Sequence, residues 1–319
     1  MLEQMVQPTL SSERPVNVSS VPQLSPFRYP GGKTWLIPWI RRWLHSLVPG
    51  PNVLVEPFAG GGAVSLAAVF EESVKRATLI ERDPDVSAVW RAILSPRATA
   101  LADMVMGFDC SAESVQRVID ATPTCVEEQA FRTLVLNRTR YGGILAAGAA
   151  PVRRGENGKG IRSRWYPATL RRRILAIAEK KEALGFISGD GLEFLRHSTH
   201  YPDAAFFIDP PYTVAGRRLY TYSEIDHEEL FRLVSQLAGD FLMTYDNSAE
   251  IRVLAQRHGF QTHLVPMQST KHETKHELLI GRSLEWARAP LGPKLLEDAL
   301  LKDLQADGKT GSQPLDGAL

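Results

Sequence analysis

The apolar run AAFFI ends in Asp209-Pro210-Pro211-Tyr212, four residues whose types suit them to grip a flat molecule bearing an amino group. Two prolines hold the backbone stiff, so the Pro210 carbonyl projects in a fixed direction beside the Asp209 carboxylate. Two acceptors then converge on one point, with the flat face of Tyr212 adjacent. An exocyclic amino group on a planar base supplies the matching parts: two N–H donors and a ring to stack. Asp-Pro alone would more often be a capped turn. The second proline, the tyrosine and the apolar run before them favour a binding site.

A second chemical signal is EPFAGGGAVSL, residues 56–66. Gly60, Gly62 and Ser65 have the spacing of a dinucleotide fingerprint whose third glycine is replaced by another small residue. Glu81 follows about 20 residues after the first glycine, at the end of the next β-rich run, where a carboxylate can accept hydrogen bonds from ribose hydroxyls. Asp83 is the nearby competitor. Together these residues imply an adenosine-containing cofactor. The earlier stretch FRYPGGKTW resembles a phosphate-gripping loop only superficially, because the glycine that such a loop needs five residues before Gly32 is Phe27. Lys33 therefore needs another role.

The elements that would position these residues alternate. NVLVEPFAGGGAVSLAAVF predicts strand, tight turn and helix; RATLIERD predicts a second strand; Gly185 to Ser188 a third, followed by the turn Gly189 to Gly191 and a helix. A fourth strand is stopped by the prolines of the DPPY tetrapeptide. GDFLMTYDNS, GFQTHLVPM and KHELLIGR follow as strands, with helical EELFRLVSQLA and AEIRVLAQRH between them. This order predicts an α/β fold with a mostly parallel, doubly wound sheet, whose ligands bind beyond the carboxyl ends of the strands. Residues 96–185 break the rhythm. They are mainly helical in pattern around a long Gly- and Arg-rich loop, and are expected to form an inserted domain between catalytic segments 25–95 and 186–284. Residues 1–24 are expected to be a loose arm and 285–319 a tail.

Length and composition set bounds. A chain of 319 residues with 44% hydrophobic and 23% charged residues can bury one large core plus an insertion. A net charge of +1 gives no global attraction to nucleic acid, so that argument must come from local clusters. One exists: Arg153, Arg154, Lys159, Arg162, Arg164, Arg171, Arg172 and Arg173 crowd a segment whose only acid is Glu156, with Trp165 and Tyr166 interleaved. Two cysteines show no metal-ligand spacing and fit a reducing compartment. His197, His200 and His227 read as surface or helix-end histidines, and His263, His272 and His276 lack a third ligand, so no metal is expected. With no long apolar run and no leader pattern, the expectation is a cytoplasmic protein with no membrane association.

In their order, FRYPGGK, VEPFAGGGAVSL, the acid at the second strand, GDG, DPPY and HELLI resemble the Dam-type (D12 class) DNA adenine N6-methyltransferases over roughly residues 25–283. The resemblance implies a Rossmann-like methyltransferase fold with a helical target-recognition insertion, S-adenosyl-L-methionine as cofactor and double-stranded DNA as partner. It also implies a bacterial or phage setting, with a cognate restriction or defence nuclease as a candidate second partner. Carried over by position, Tyr29 and Lys33 contact the cofactor's methionine end, Phe58 and the turn from Gly60 to Gly62 line the cofactor, Glu81 binds its ribose and Asp190 lies near its adenine. Asp209, with Pro210 and Tyr212, touches both the cofactor's amino end and the target base. Most members carry Asp where this chain has Glu81. Tyr141, in LNRTRYGG, becomes the candidate wedge into the base stack, and Arg153, Arg154, Arg162 and Arg164 the candidate DNA contacts. Cytosine N4 enzymes more often carry Ser at the position of Asp209; an RNA methyltransferase, or a DNA-binding protein that has lost catalysis, are the competing readings.

Overall fold

A computed structural model describes residues 9–10, 15–28, 31–146, 149–152, 155, 158–211, 225–268 and 274–288. Its centre is one eight-stranded sheet, built from β1 (Thr9–Leu10), β2 (Val53–Glu56), β3 (Arg76–Glu81), β4 (Leu184–Ser188), β5 (Ala204–Ile208), β6 (Asp240–Asp246), β7 (Gln261–Gln268) and β8 (Thr274–Gly281). The spatial order is β1-β7-β8-β6-β5-β2-β3-β4. Only β8 runs against its neighbours β6 and β7; every other pairing is parallel. All seven strands expected from β2 onward are present. The order reverses between β2 and β5, so a crevice opens at their carboxyl ends.

Strand residues alternate between two apolar layers, as the two-residue period of a pleated strand requires. Leu54, Leu79, Phe207 and Leu242 face one core, while Val55, Ile80, Phe206 and Met243 face the other. Central β5 is buried along its whole length, which explains why its sequence is continuously apolar rather than alternating.

The first layer holds α1 (Ile37–Ser46), α2 (Ala63–Phe70) and α3 (Pro84–Ile93). Pro84 at the first turn and Asp83, which accepts the Asp85 N–H at 2.9 Å, start α3 abruptly after β3. Next come α4 (Ala98–Gly107), α5 (Ala112–Asp120), α6 (Val126–Thr139) and α7 (Pro167–Glu179). Their buried residues Leu101, Val115, Leu134 and Ile174 belong to the same hydrophobic cluster as α1–α3. Within the stretch expected as an insertion, these four helices share their core with the sheet layer.

The opposite face carries α8 (Gly191–His197), α9 (His227–Ser235) and α10 (Ala249–Arg257), each started by a side-chain cap: Asp190, Asp226 and Ser248. A short α11 (Glu285–Arg288) closes the described chain. No helix among the described residues is long and apolar enough to cross a membrane.

One difference from expectation lies at the N-terminus. Thr9 and Leu10 pair with His263 and Leu264, Val21 is buried, and the Ser25 hydroxyl donates to the Gly61 carbonyl at 2.6 Å. Polar, aperiodic sequence predicts a loose arm, but a pair of sheet-edge residues and a buried valine anchor its described part. The helical pattern expected around Leu295 lies outside the described residues.

Candidate active site

The glycine turn after β2 is shaped by what it must pass. Gly62 has φ +60°, and a Cβ there would lie 2.6 Å from the Leu79 side chain and 2.8 Å from the Trp90 ring. Only glycine combines that backbone with that space. Gly60 is also left-handed, its carbonyl accepts the Trp90 indole N–H at 2.9 Å, and its own N–H donates to Glu81 Oε2 at 2.8 Å. The other Glu81 oxygen accepts the Asp83 N–H at 2.7 Å. Glu81 therefore braces the turn as well as standing at the end of β3. Burial raises its carboxyl to about 7, against the backbone N–H bonds that favour the ionised form. Asp83, the competitor, is committed to capping α3.

Sequence reasoning missed Glu56, the last residue of β2. It is buried, and one of its oxygens accepts both the N–H and the hydroxyl of Ser65, at 3.0 and 2.5 Å. Ser65, read as a small stand-in for glycine, is thus a partner for a buried acid. Desolvation drives the Glu56 carboxyl up to about 8; the Ser65 bonds oppose the rise and the charges of Asp209 and Glu81 add to it. An acid ending an otherwise apolar strand was the available signal.

Asp190 ends the loop after β4. One oxygen caps α8 by accepting the N–H groups of Leu192 and Glu193, and the other lies 3.2 Å from an Arg82 nitrogen. Neighbouring Gly191 packs so closely that a Cβ would fall 2.3 Å from the Pro57 carbonyl and 2.9 Å from the Phe58 ring. Phe58, the glycine turn, Glu81 and Asp190 consequently lie along the adjacent carboxyl ends of β2, β3 and β4.

Asp209 leaves the end of β5, on the other side of the crevice. Its Oδ1 accepts the Thr244 hydroxyl at 2.7 Å and lies 2.9 Å from Lys33 Nζ. Lys33, from the 3-10 turn Lys33–Leu36, also reaches Glu277 Oε1 and the Gly31 carbonyl, each at 3.1 Å. Lys33 and Glu277 are both buried, as is Pro210, the residue after Asp209. Lys33, expected to meet the cofactor, is in this geometry a clamp on Asp209. Thr244 and Glu277 are further members that the sequence reading left unassigned. Tyr29 and Tyr212 lie outside the described residues.

The candidate nucleic-acid contacts divide. Tyr141 is 71% exposed, at the head of the 3-10 turn Tyr141–Gly143. That turn is stitched to Arg28: the Asn137 side chain accepts the Arg28 N–H at 2.8 Å and donates to the carbonyls of Arg28 and Gly143 at 3.0 and 2.8 Å. Buried Arg138 adds a bond to the Pro26 carbonyl at 2.5 Å. Asn137 is another residue sequence reasoning passed over. Arg162 is tied to Asp109 and to the Cys110 carbonyl, Arg171 lies 3.6 Å from Asp103, and Arg173 donates to the Ser25 carbonyl. Part of the basic cluster thus holds the fold together. Arg164 ends the 3-10 turn Gly160–Arg164; Arg153 and Arg154 lie outside the described residues. Trp165 packs edge-on against Phe108 in the core, while Tyr166 is exposed. His227, read as a helix-end residue, does begin α9, and its Nδ1 lies 2.9 Å from the buried Tyr245 hydroxyl.

Residues 29–270 match the D12 class N6 adenine-specific DNA methyltransferase family. The chain belongs to that family. A comparison with curated proteins gave no match. Among solved structures, similar chains include the rRNA methyltransferase aviRa from Streptomyces viridochromogenes, at 16% identity over 85% of this chain and 94% of that one, with a TM-score of 0.39. TrmK of M. capricolum, bound to S-adenosylhomocysteine, gives 7% identity, 86% and 88% coverage and a TM-score of 0.33. A methyltransferase from Geobacter sulfurreducens gives 14%, 77% and 76%, and 0.33. At such values the structural matches carry no functional argument.

The fold is the Rossmann-like one of S-adenosylmethionine-dependent methyltransferases, and this family member uses that cofactor. Its residues fit the group. The left-handed glycine turn at Gly60 and Gly62, the Phe58 ring and the acids ending β3 and β4 supply a bare backbone turn, an apolar face and acceptors for an adenosine.

Proposed function

We propose that this methyltransferase acts on the N6 amino group of adenine in double-stranded DNA, with the target base turned out of the helix. The observation that carries this reading is Asp209, an acid held rigidly at the switch crevice by Thr244 and Lys33 and followed by a buried proline. The adenine amino nitrogen is a weak nucleophile because its lone pair is delocalised into the ring. Asp209 and the Pro210 carbonyl each accept one of its N–H bonds, favouring a pyramidal, electron-rich nitrogen and aiming it for in-line attack. S-adenosylmethionine, when bound, supplies an already activated methyl group on a positively charged sulfur.

The chain's contribution is orientation and a fixed field, with Thr244 and Lys33 preventing Asp209 from rotating away. Inside a duplex the amino nitrogen cannot reach Asp209, so the base must leave the stack. Tyr141, exposed on a turn hydrogen-bonded through Asn137 to the Arg28 backbone, fills the gap in this reading, and the segment 96–185 serves as the recognition element. A nuclease of a restriction or defence system and a cytoplasmic location belong to the same proposal.

The test uses purified protein, S-adenosylmethionine and unmethylated genomic DNA, followed by modification-sensitive sequencing. N6-methyladenine at one short motif, absent with Asp209→Ala, supports the reading. Methylation retained by Asp209→Ala, or appearing on cytosine or only on RNA, overturns it.

A further inference from the structure

Two arginines, one near the end of α6 and one in the middle of α7, converge on residues 25–28. Arg138 donates through Nη2 to the Pro26 carbonyl at 2.5 Å, and Arg173 through Nη1 to the Ser25 carbonyl at 3.0 Å. Neighbouring carbonyls thus bring two guanidinium groups together, and the charges of Arg173 and Arg28 both act on Arg138. Exposure rises along the group: Arg138 is 7% exposed, Arg173 is half-buried, and Arg172, whose charge acts on Arg173, is exposed.

No carboxylate among the described residues pairs with Arg138 or Arg173. Arg162 and Arg171, by contrast, have Asp109 and Asp103. The Arg138 Nε is also buried without a hydrogen-bond partner among the described residues. Burial, with the neighbouring charges adding, lowers the Arg138 pKa to about 9, so the group keeps its proton at neutral pH. Burying a cation is costly without a counter-charge, and a second cation beside it adds repulsion. Carbonyl bonds do not cancel that charge; an anion would. Position says which one. Arg138 precedes the exposed Tyr141 by three residues, and its neighbour Asn137 binds the Arg28 backbone. Groups beside a wedge in the base stack face the sugar-phosphate backbone, and guanidinium forks suit phosphate oxygens.

We propose that Arg138 and Arg173 form a phosphate site, which takes one phosphodiester group of the duplex backbone beside the turned-out base. The proposal rests on the DNA reading above and extends it to two arginines outside the Gly- and Arg-rich loop. The bound phosphate supplies the counter-charge that the surrounding side chains do not.

Fluorescence anisotropy with the full chain and a labelled mixed-sequence duplex, over a series of salt concentrations, tests this. In Arg173→Gln the plot of log affinity against log salt should be shallower than in wild type by about 1, because a lost phosphate contact releases fewer counterions. Arg173→Lys keeps the charge and should hold the wild-type slope. On a duplex whose linkages are neutral methylphosphonates, wild type and Arg173→Gln should bind alike. Arg138→Gln should flatten the slope in the same way; where that variant does not fold, the half-buried Arg173 carries the test. A wild-type slope in Arg173→Gln, or a difference between the two proteins that persists on the neutral duplex, overturns the phosphate site and leaves both arginines as ties between the helices and residues 25–26. Wild-type protein that binds no duplex DNA overturns the DNA reading itself, and the proposal with it.

Discussion

One carboxylate oxygen of Glu56 accepts both the backbone N–H and the hydroxyl of Ser65, at 3.0 and 2.5 Å, at the point where β2 gives way to the glycine turn and α2. The pair pins the first turn of the helix to the strand end and satisfies a polar group that burial would otherwise strand. Ser65→Ala removes the hydroxyl but leaves the N–H, and should cost on the order of 2 kcal/mol in urea unfolding. Because the Glu56 carboxyl titrates at about 8, and the lost bond favours the ionised form, the penalty should be larger at pH 9 than at pH 7. An equal penalty at both would show that the hydroxyl does not serve the carboxylate.

Glu81, read as the ribose-binding acid, should make cofactor affinity depend on pH. Its carboxyl titrates at about 7, raised by burial, and only the ionised form is a full acceptor for both the Gly60 N–H and a ribose hydroxyl. Affinity for S-adenosylmethionine should therefore rise as pH passes upward through 7 and level off above it. Glu81→Gln should bind more weakly at pH 8 and lose the step near 7. Titration calorimetry between pH 6 and 8.5 reads both outcomes.

Much of this arrangement is legible in the sequence because it is written in local patterns. Apolar runs with fixed breakers mark β2 to β8, and the spacing of Gly60, Gly62 and Glu81 marks the crevice side of β2 and β3. What escapes is contact between distant segments. Nothing near Lys33 announces Glu277, and HELLI reads as a strand before it reads as an acid brought to a site. Thr9 and Leu10 are too short to carry a period, although they extend the sheet. Trp165 looks like part of a basic, aromatic surface, yet it fills a gap beside Phe108, because charge along a chain does not say which side chains turn inward.

Asn137 couples the turn bearing Tyr141 to the segment that delivers Lys33. Its side chain makes three hydrogen bonds, two of them to the Arg28 backbone. Asn137→Ala should lower stability by about 2–3 kcal/mol, since buried backbone groups lose their partners. Asn137→Asp keeps the acceptor for the Arg28 N–H and loses both donors, so it should not restore the wild-type value. The functional consequence should be weaker DNA binding with the Asp209 site intact, measured as a fall in affinity for duplex DNA alongside unchanged titration of S-adenosylmethionine. Loss of both together would mean that the two segments form one unit.

His263 limits stability in acid. It is 2% exposed, packs 5.8 Å from the Trp39 ring, and neither ring nitrogen has a hydrogen-bond partner among the described residues. Burial, with the charges of Arg288 and Arg42 adding, lowers its pKa to about 4, so the folded protein holds it neutral where the unfolded chain, with a pKa near the ordinary 6.5, begins to bind a proton. The unfolded state thus binds more protons between those values, and stability is complete above 6.5 and declines as pH falls toward 4. His263→Leu keeps the apolar contact with Trp39 and has no proton to gain. Relative to wild type it should be near neutral at pH 7.5, and it should gain progressively as pH falls, by on the order of 3 kcal/mol at pH 4. Other groups titrate across the same range, so the informative quantity is the difference between the two proteins' urea unfolding free energies at each pH; a difference independent of pH would mean that His263 already carries its proton, or finds a partner, in the folded state.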